Sequence, residues 1–223
     1  SADVVSSTVP CSHKWMTGTV NSFFIGLTST FIATTLGTIA ALGLSRPHMP
    51  YKGLIMAILI SPMIVPLIIT AAGMFFFYAR INLVYTFTGV ILAHVALATP
   101  FVVITVTATL VGFDMNMVKA SQSLGARPVR TFFKVIMPLI LPGIISGALF
   151  AFITSFDEVV IVMFMASLDQ LTIPKQMWAG IRQEISPVIL CMATCLVALS
   201  IFLLTTVEIL RRRSERLRGI KSR

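Results

Sequence analysis

Five long apolar runs limit what this chain can fold into. They cover residues 20–44, 54–78, 83–111, 139–166 and 188–210. Each is long enough to cross a bilayer, which takes ~20 apolar residues for ~30 Å of hydrocarbon. Only 11% of the 223 residues are charged, against about 25% in a soluble domain. Too little polar sequence remains to give a large soluble helical protein its water-facing shell. The expected fold is all-α: a polytopic integral membrane protein with five transmembrane helices, built as one domain over residues 1–223.

The basic residues orient these spans, because Lys and Arg near span ends stay cytoplasmic. Arg46 and Lys52 lie between spans one and two. Lys119, Arg127, Arg130 and Lys134 lie between three and four. Arg211, Arg212, Arg213, Arg216, Arg218, Lys221 and Arg223 follow span five. These regions hold 13 of the 17 basic residues, leaving Lys14, Arg80, Lys175 and Arg182 for the other side. Residues 1–18 then form an extracytoplasmic tail, and residues 211–223 a basic cytoplasmic one. The net charge of +9 is mostly a topology signal. A nucleic-acid role would need a soluble recognition fold, which the chain lacks.

An outside N-terminus is unusual for a chain that starts at Ser1 without Met and without a signal-peptide pattern. The expectation is an earlier span and six in the full product, with both ends cytoplasmic. Cys11, Cys191 and Cys195 show no metal-type spacing and read as small apolar packing residues. His13, His48 and His94 are scattered. His94, inside span three, reads as one end of an interhelical hydrogen bond.

The spans carry more than anchoring requires. Gly26, Thr30, Thr34 and Thr38 recur at four-residue spacing in the first, flanked by Ala33, Gly37 and Ala41. The fourth contains Gly143 and Gly147. Small residues at this spacing let helix backbones approach closely in lipid. Span two contains Ser61-Pro62-Met63-Ile64-Val65-Pro66, and span three contains Pro100. Each proline removes a backbone donor and clashes with the preceding turn. Broken backbone survives in a bilayer only against protein or water. Ser61, Pro62 and Pro66 are therefore candidates for a bend lining a pathway, whereas Pro100 reads equally well as a packing kink.

Between spans three and four, residues 112–137 form a polar, basic insert. Asp114 suits an N-cap, and Met115 to Leu124 are compatible with a helix of ~10 residues. Gly125 fits the C′ position, which calls for positive φ. Pro128 fits the first turn of the next helix, which leads through Arg130 and Lys134 to Pro138. Met115, Val118 and Leu124 offer apolar contacts to a soluble partner. The plainer alternative is a helix resting on anionic lipid.

The segment Lys119-Ala120-Ser121-Gln122-Ser123-Leu124-Gly125, followed by Val135-Ile136-Met137-Pro138, resembles the cytoplasmic loop signature of permease subunits of binding-protein-dependent ABC importers. That signature is Glu-Ala-Ala, three residues, Gly, nine residues, Ile, any residue, Leu-Pro. Ala120, Gly125 and Pro138 match it. Lys119 stands in place of the Glu, Ser121 of the second Ala, Val135 of the Ile and Met137 of the Leu. Asn21-Ser22, Ser61-Pro62, Pro100-Phe101-Val102-Val103, Gly112-Phe113-Asp114, Ser155-Phe156-Asp157-Glu158-Val159-Val160 and Ile185-Ser186-Pro187 are similar to the spermidine/putrescine branch. The resemblance implies the type I ABC importer permease fold, in the bacterial inner membrane. It also implies that the insert is a coupling helix seated on an ATPase subunit. Asp114, Met115, Val118, Lys119, Ala120, Ser121, Leu124, Gly125, Ala126, Arg127 and Pro138 would form that contact.

No G-x-x-x-x-G-K-[ST] phosphate loop occurs in the chain. It is expected to be a non-catalytic subunit without a metal site or cofactor of its own, ATP and Mg being bound by the partner. The implied partners are a second permease (identical or homologous), two copies of a cytoplasmic ATP-binding subunit, an extracytoplasmic solute-binding protein and membrane lipid.

Asp157 and Glu158 are the candidate solute residues. On a continuous helix Asp157 would lie ~22 Å beyond Pro142, in the outer half of the span. A carboxylate there costs on the order of 3 kcal/mol. Facing a wet cavity would offset that, and would attract a cationic amine. Adjacent helix residues point ~100° apart, so the two need not line one surface. The expected solute is a polyamine or related amine. Opines, phosphonates and inorganic anions remain open for this class of transporter, as does a membrane scaffold or sensor that docks a non-ATPase partner. Phe75, Phe76, Phe77, Tyr78, Tyr85 and Trp178 read as interface anchors. Asp169, Lys175, Arg182 and Glu184 read as binding-protein contacts or solvated charges.

Overall fold

The computed structural model describes residues 13–46, 49–111, 116–183 and 187–217. Among them every regular element is helical. In chain order the elements are α1 (His13–Leu44), α2 (Lys52–Ile64), α3 (Leu67–Arg80), α4 (Phe87–Val111), α5 (Asn116–Ser123) and α6 (Pro128–Thr131). A π turn (Phe132–Ile136) joins α6 to α7 (Met137–Phe156). Then follow α8 (Val160–Met165), a 3₁₀ turn (Leu168–Gln170), α9 (Ile173–Gln183) and α10 (Pro187–Leu217). Helix α1 takes in residues 13–18, which hydropathy assigns to the outer tail. Helix α10 continues through residues 211–217, the start of the basic tail.

Among the described residues, three helical stretches are each long and apolar enough to cross a membrane unbroken: Trp15–Leu44, Phe87–Val111 and Pro128–Phe156. The second expected span is instead α2 and α3, bent by 105° at the break between them. In α10 the described apolar stretch is the shorter Ile189–Phe202. The fourth expected span also departs from a single helix. It stops at Phe156 and restarts at Val160, so the 139–166 run is two helices.

The core is a three-helix unit in which α4 packs against both α1 and α7, and these touch each other. Ala33, Ala41, Val90, Val102, Val106, Ile140 and Ala151 are buried there. The small residues permit this closeness. A methyl added at Gly147 would sit 3.0 Å from Val102 Cα, and one at Gly143 would sit 3.1 Å from the Thr105 carbonyl oxygen. Gly37 lies against Val102 in the same way. Pro100 is buried within α4, which runs through it without a break. By contrast α2 has no buried residue and α3 buries only Ala71.

A second apolar cluster, Phe152, Phe156 and Ile173, is joined by Trp15, Met177, Met192, Leu196 and Leu199. It ties α9 and α10 to the end of α7. Asn21 Nδ2 donates to the carbonyls of Asp169 (2.8 Å) and Leu171 (3.1 Å). The backbone N–H of Ile173 donates to Ser22 Oγ at 2.9 Å. Two neighbouring side chains of α1 thus hold the segment that leads into α9.

Gly147→Val should separate α4 from α7. Overpacking of this kind costs ~1–3 kcal/mol, so detergent-solubilised protein should unfold at a lower temperature. Gly43→Ala is the control, because nothing lies within 4 Å of a methyl added there, and its unfolding temperature should not fall.

Candidate translocation site and coupling loop

The bend in the second span follows from its prolines. A residue before proline is pushed out of the α region, and Val65 is extended at φ −72° and ψ 135°. Its N–H still donates to the Ser61 carbonyl at 3.1 Å. Pro66 then starts α3, its carbonyl accepting from the N–H groups of Ile69 (2.9 Å) and Thr70 (3.2 Å). Ser61 Oγ donates back to the Ile58 carbonyl at 2.8 Å.

The fourth span breaks at its acidic pair. Asp157 ends α7 at φ −89° and ψ −1°, its N–H donating to the Ile153 carbonyl. Glu158 is 7% exposed, and its Oε1 accepts from the Ile161 N–H at 2.9 Å. The carboxylate satisfies a donor in the first turn of α8 and complements that helix's N-terminal dipole. Asp157 is exposed and lines a cleft of about 410 Å³ with Leu67, Ile153, Thr154, Glu158, Val159 and Val160. It also borders a smaller cleft of about 80 Å³ with Phe156, Pro174, Leu196 and Ser200.

Leu67 opens α3 immediately after Pro66, and α3 packs against α8. The two breaks therefore meet at one cleft. Of the residues expected to line a pathway, Asp157 and Glu158 wall this cleft and Pro66 adjoins its wall. Ser61 and Pro62 are absent from its lining and lie in α2, on the far side of the bend. Behind the break, His94 Nδ1 and Ser155 Oγ are 2.8 Å apart and buried. This is the interhelical hydrogen bond expected of His94.

Lys175 has a place that the sequence left undecided. Its Nζ donates to the carbonyls of Val162 (3.1 Å) and Ala166 (3.2 Å), at the end of α8. Burial lowers its ammonium from the ordinary lysine value, and the two carbonyls oppose that effect by favouring the charged form. No local pattern announces this contact, in which the Lys175 side chain reaches from α9 to the backbone of α8. Asp169 is exposed, and its backbone carbonyl is one of the two that Asn21 holds. Tyr85 and Trp178 are exposed. Glu184 lies outside the described residues.

The insert closes as its residue types dictate. The Ala126 N–H donates to the Ser121 carbonyl (3.1 Å) and the Gly125 N–H to the Gln122 carbonyl (2.9 Å). With Gly125 at φ 78°, this is a Schellman end. Pro128 begins α6 after an extended Arg127, and Ser121 Oγ meets Thr131 Oγ1 at 3.0 Å. Lys119, Ala120, Leu124 and Gly125 are exposed, and Val118, Ser121 and Ala126 half-buried. Asp114 and Met115 lie outside the described residues. Pro138 lies in the first turn of α7, just past the π turn, in which the Met137 N–H reaches back to the Phe132 carbonyl. A proline two residues into α7 cannot donate to the preceding turn, a common setting for such a bulge.

Interrupted apolar runs meeting at a cleft walled by Asp157 and Glu158, on an all-helical scaffold, mark a multi-pass membrane protein whose helices do more than anchor it. Residues 33–216 match the model of the binding-protein-dependent transport system inner membrane component, and the chain belongs to that family. It is similar to the spermidine/putrescine transport system permease protein PotC of Haemophilus influenzae, with 28% identity over 195 residues, 87% of this chain and 76% of the relative. It is 30% identical over 170 residues to the putrescine transport system permease protein PotI of Escherichia coli, covering 73% of this chain and 60% of that one.

Two solved structures share the fold. One is an amino acid ABC transporter crystallised with histidines, with TM-score 0.68 and 16% identity over 95% of this chain and 97% of that one. The other is the inward-facing MetNI methionine ABC transporter, with TM-score 0.58 and 20% identity over 95% and 100%.

Gly125→Ala should fray the end of α5. A Cβ at positive φ costs ~1–2 kcal/mol, so amide exchange should accelerate at Gln122 to Ala126 while α4 and α7 keep their protection.

Proposed function

We propose that this chain is one half of the transmembrane pore of an ATP-driven importer of polyamines or closely related amines. The observation that carries the reading is Asp157, an exposed carboxylate on the ~410 Å³ cleft where two span breaks meet. A carboxylate on a low-dielectric wall concentrates cations and disfavours anions. That argues for an amine over an opine, a phosphonate or an inorganic anion. The polyamine names of the PotC and PotI relatives point the same way.

In this reading the solute leaves an extracytoplasmic binding protein and enters between this chain and a second permease. Helix α5 is the coupling helix, with Lys119 and Leu124 turned toward a groove on a cytoplasmic ATP-binding subunit. Two such subunits bind ATP and Mg, and their closure moves both permeases between inward- and outward-facing states. The basic residues at 211–223 support a cytoplasmic C-terminus. This chain moves no bond. It binds, orients and gates.

Asp157→Asn should abolish polyamine uptake in cells or proteoliposomes while the assembled complex is recovered in normal yield. Normal uptake by that variant ends the amine reading. A stoichiometric partner carrying a phosphate loop should co-purify, and its absence would favour a scaffold for a non-ATPase protein.

A further inference from the structure

Helix α8 is only six residues long (Val160–Met165), ~9 Å at 1.5 Å per residue. Alone it would be far below the length at which helices persist. Its ends are held by groups from outside it. Glu158 Oε1 accepts the Ile161 N–H at the N-terminal end. Lys175 Nζ donates to Val162 and Ala166 carbonyls at the C-terminal end. The Tyr85 N–H takes the Met165 carbonyl at 2.9 Å. A carboxylate at the N-terminus and an ammonium at the C-terminus both match the helix dipole.

Lys175 belongs to α9, and α8 and α9 sit in different packing groups. Helix α8 packs chiefly against α3 and α4, whereas α9 packs chiefly against α1 and α10. The Lys175 side chain crosses between the two groups, and Asp157 and Glu158 lie at the other end of the short helix it holds. The connecting segment is independently fastened to α1 through Asn21 and Ser22. Displacement of α9 therefore reaches the acidic break by two routes: through Ile173, packed against Phe156 at the end of α7, and through Lys175 into α8.

The geometry points to Lys175 as a positioning residue that ties α9 to α8, setting where Asp157 stands in the cleft and so the affinity for the cationic solute. The solute part of this inference rests on the reading of Asp157 proposed above; the tie itself does not. Lys175 touches no solute, and its effect passes through α8.

The test uses the complete transporter, with Cys11, Cys191 and Cys195 replaced by Ser and spin labels at Met163→Cys on α8 and Ile181→Cys on α9. Both sites are exposed. Lys175→Met should broaden the label-to-label distance distribution and raise the KM for spermidine about tenfold. Lys175→Arg should restore both, since a guanidinium also donates to two carbonyls. A Lys175→Met distribution as narrow as the parent's overturns the tie. A broadened distribution with unchanged KM overturns the link to the solute. Asp157→Asn, with the same labels, should keep the narrow distribution. If that variant also transports normally, the cleft reading fails while the distance result still decides the tie.

Discussion

A backbone polar group in hydrocarbon has no water to turn to, so a spanning chain can stop being helical only where protein supplies the missing partner. Among the described residues, this chain stops being helical inside its second apolar run at Val65–Pro66 and inside its fourth at residues 157–159. At the first, proline removes one donor, and the carbonyls of Ser61 and Pro66 take up the N–H groups of Val65, Ile69 and Thr70. At the second, Glu158 provides the acceptor with its own side chain. These two solutions differ in charge. The proline break is neutral, whereas the acidic break places one carboxylate inside the fold and leaves its neighbour facing open space.

That difference separates two residues adjacent in sequence. Glu158 is committed to the backbone of α8, and its oxygen is spent on structure. Asp157 closes the preceding helix through its main chain alone, leaving its side chain available to the cleft. A helix continuous through the pair would have pointed the two ~100° apart on one cylinder. The break lets one turn inward and the other outward.

Legibility in the sequence followed locality. Gly125 and Pro128 could be placed because positive φ and a missing N–H are demands of single residues, and the Schellman end formed where they stand. Gly143 and Gly147 could be read as contact points because four-residue spacing puts them on one helix face. The bend at Pro66 was visible in kind, but not its 105° angle, which no single residue type dictates. The break at Asp157 was hidden by an apolar run that stays unbroken on a hydropathy scan, since Val159 to Ala166 are as apolar as a span. Lys175 carried no signal, because its partners are carbonyls, which every residue has.

The distribution of packing then separates what can move from what cannot. Helices α1, α4 and α7 meet through glycine, alanine and threonine, so close that a methyl has no room at Gly147. Such an interface has one arrangement, since sliding would drive side chains into backbone. Helix α2 buries nothing, and α3 buries one alanine. In lipid their exposed apolar surface is not a defect, because hydrocarbon solvates it as well as protein does. A bundle built this way flexes at its breaks rather than through its core. The cleft that holds Asp157 lies at those breaks, where a change in the angle between half-helices alters its width while the three-helix core stays as it is.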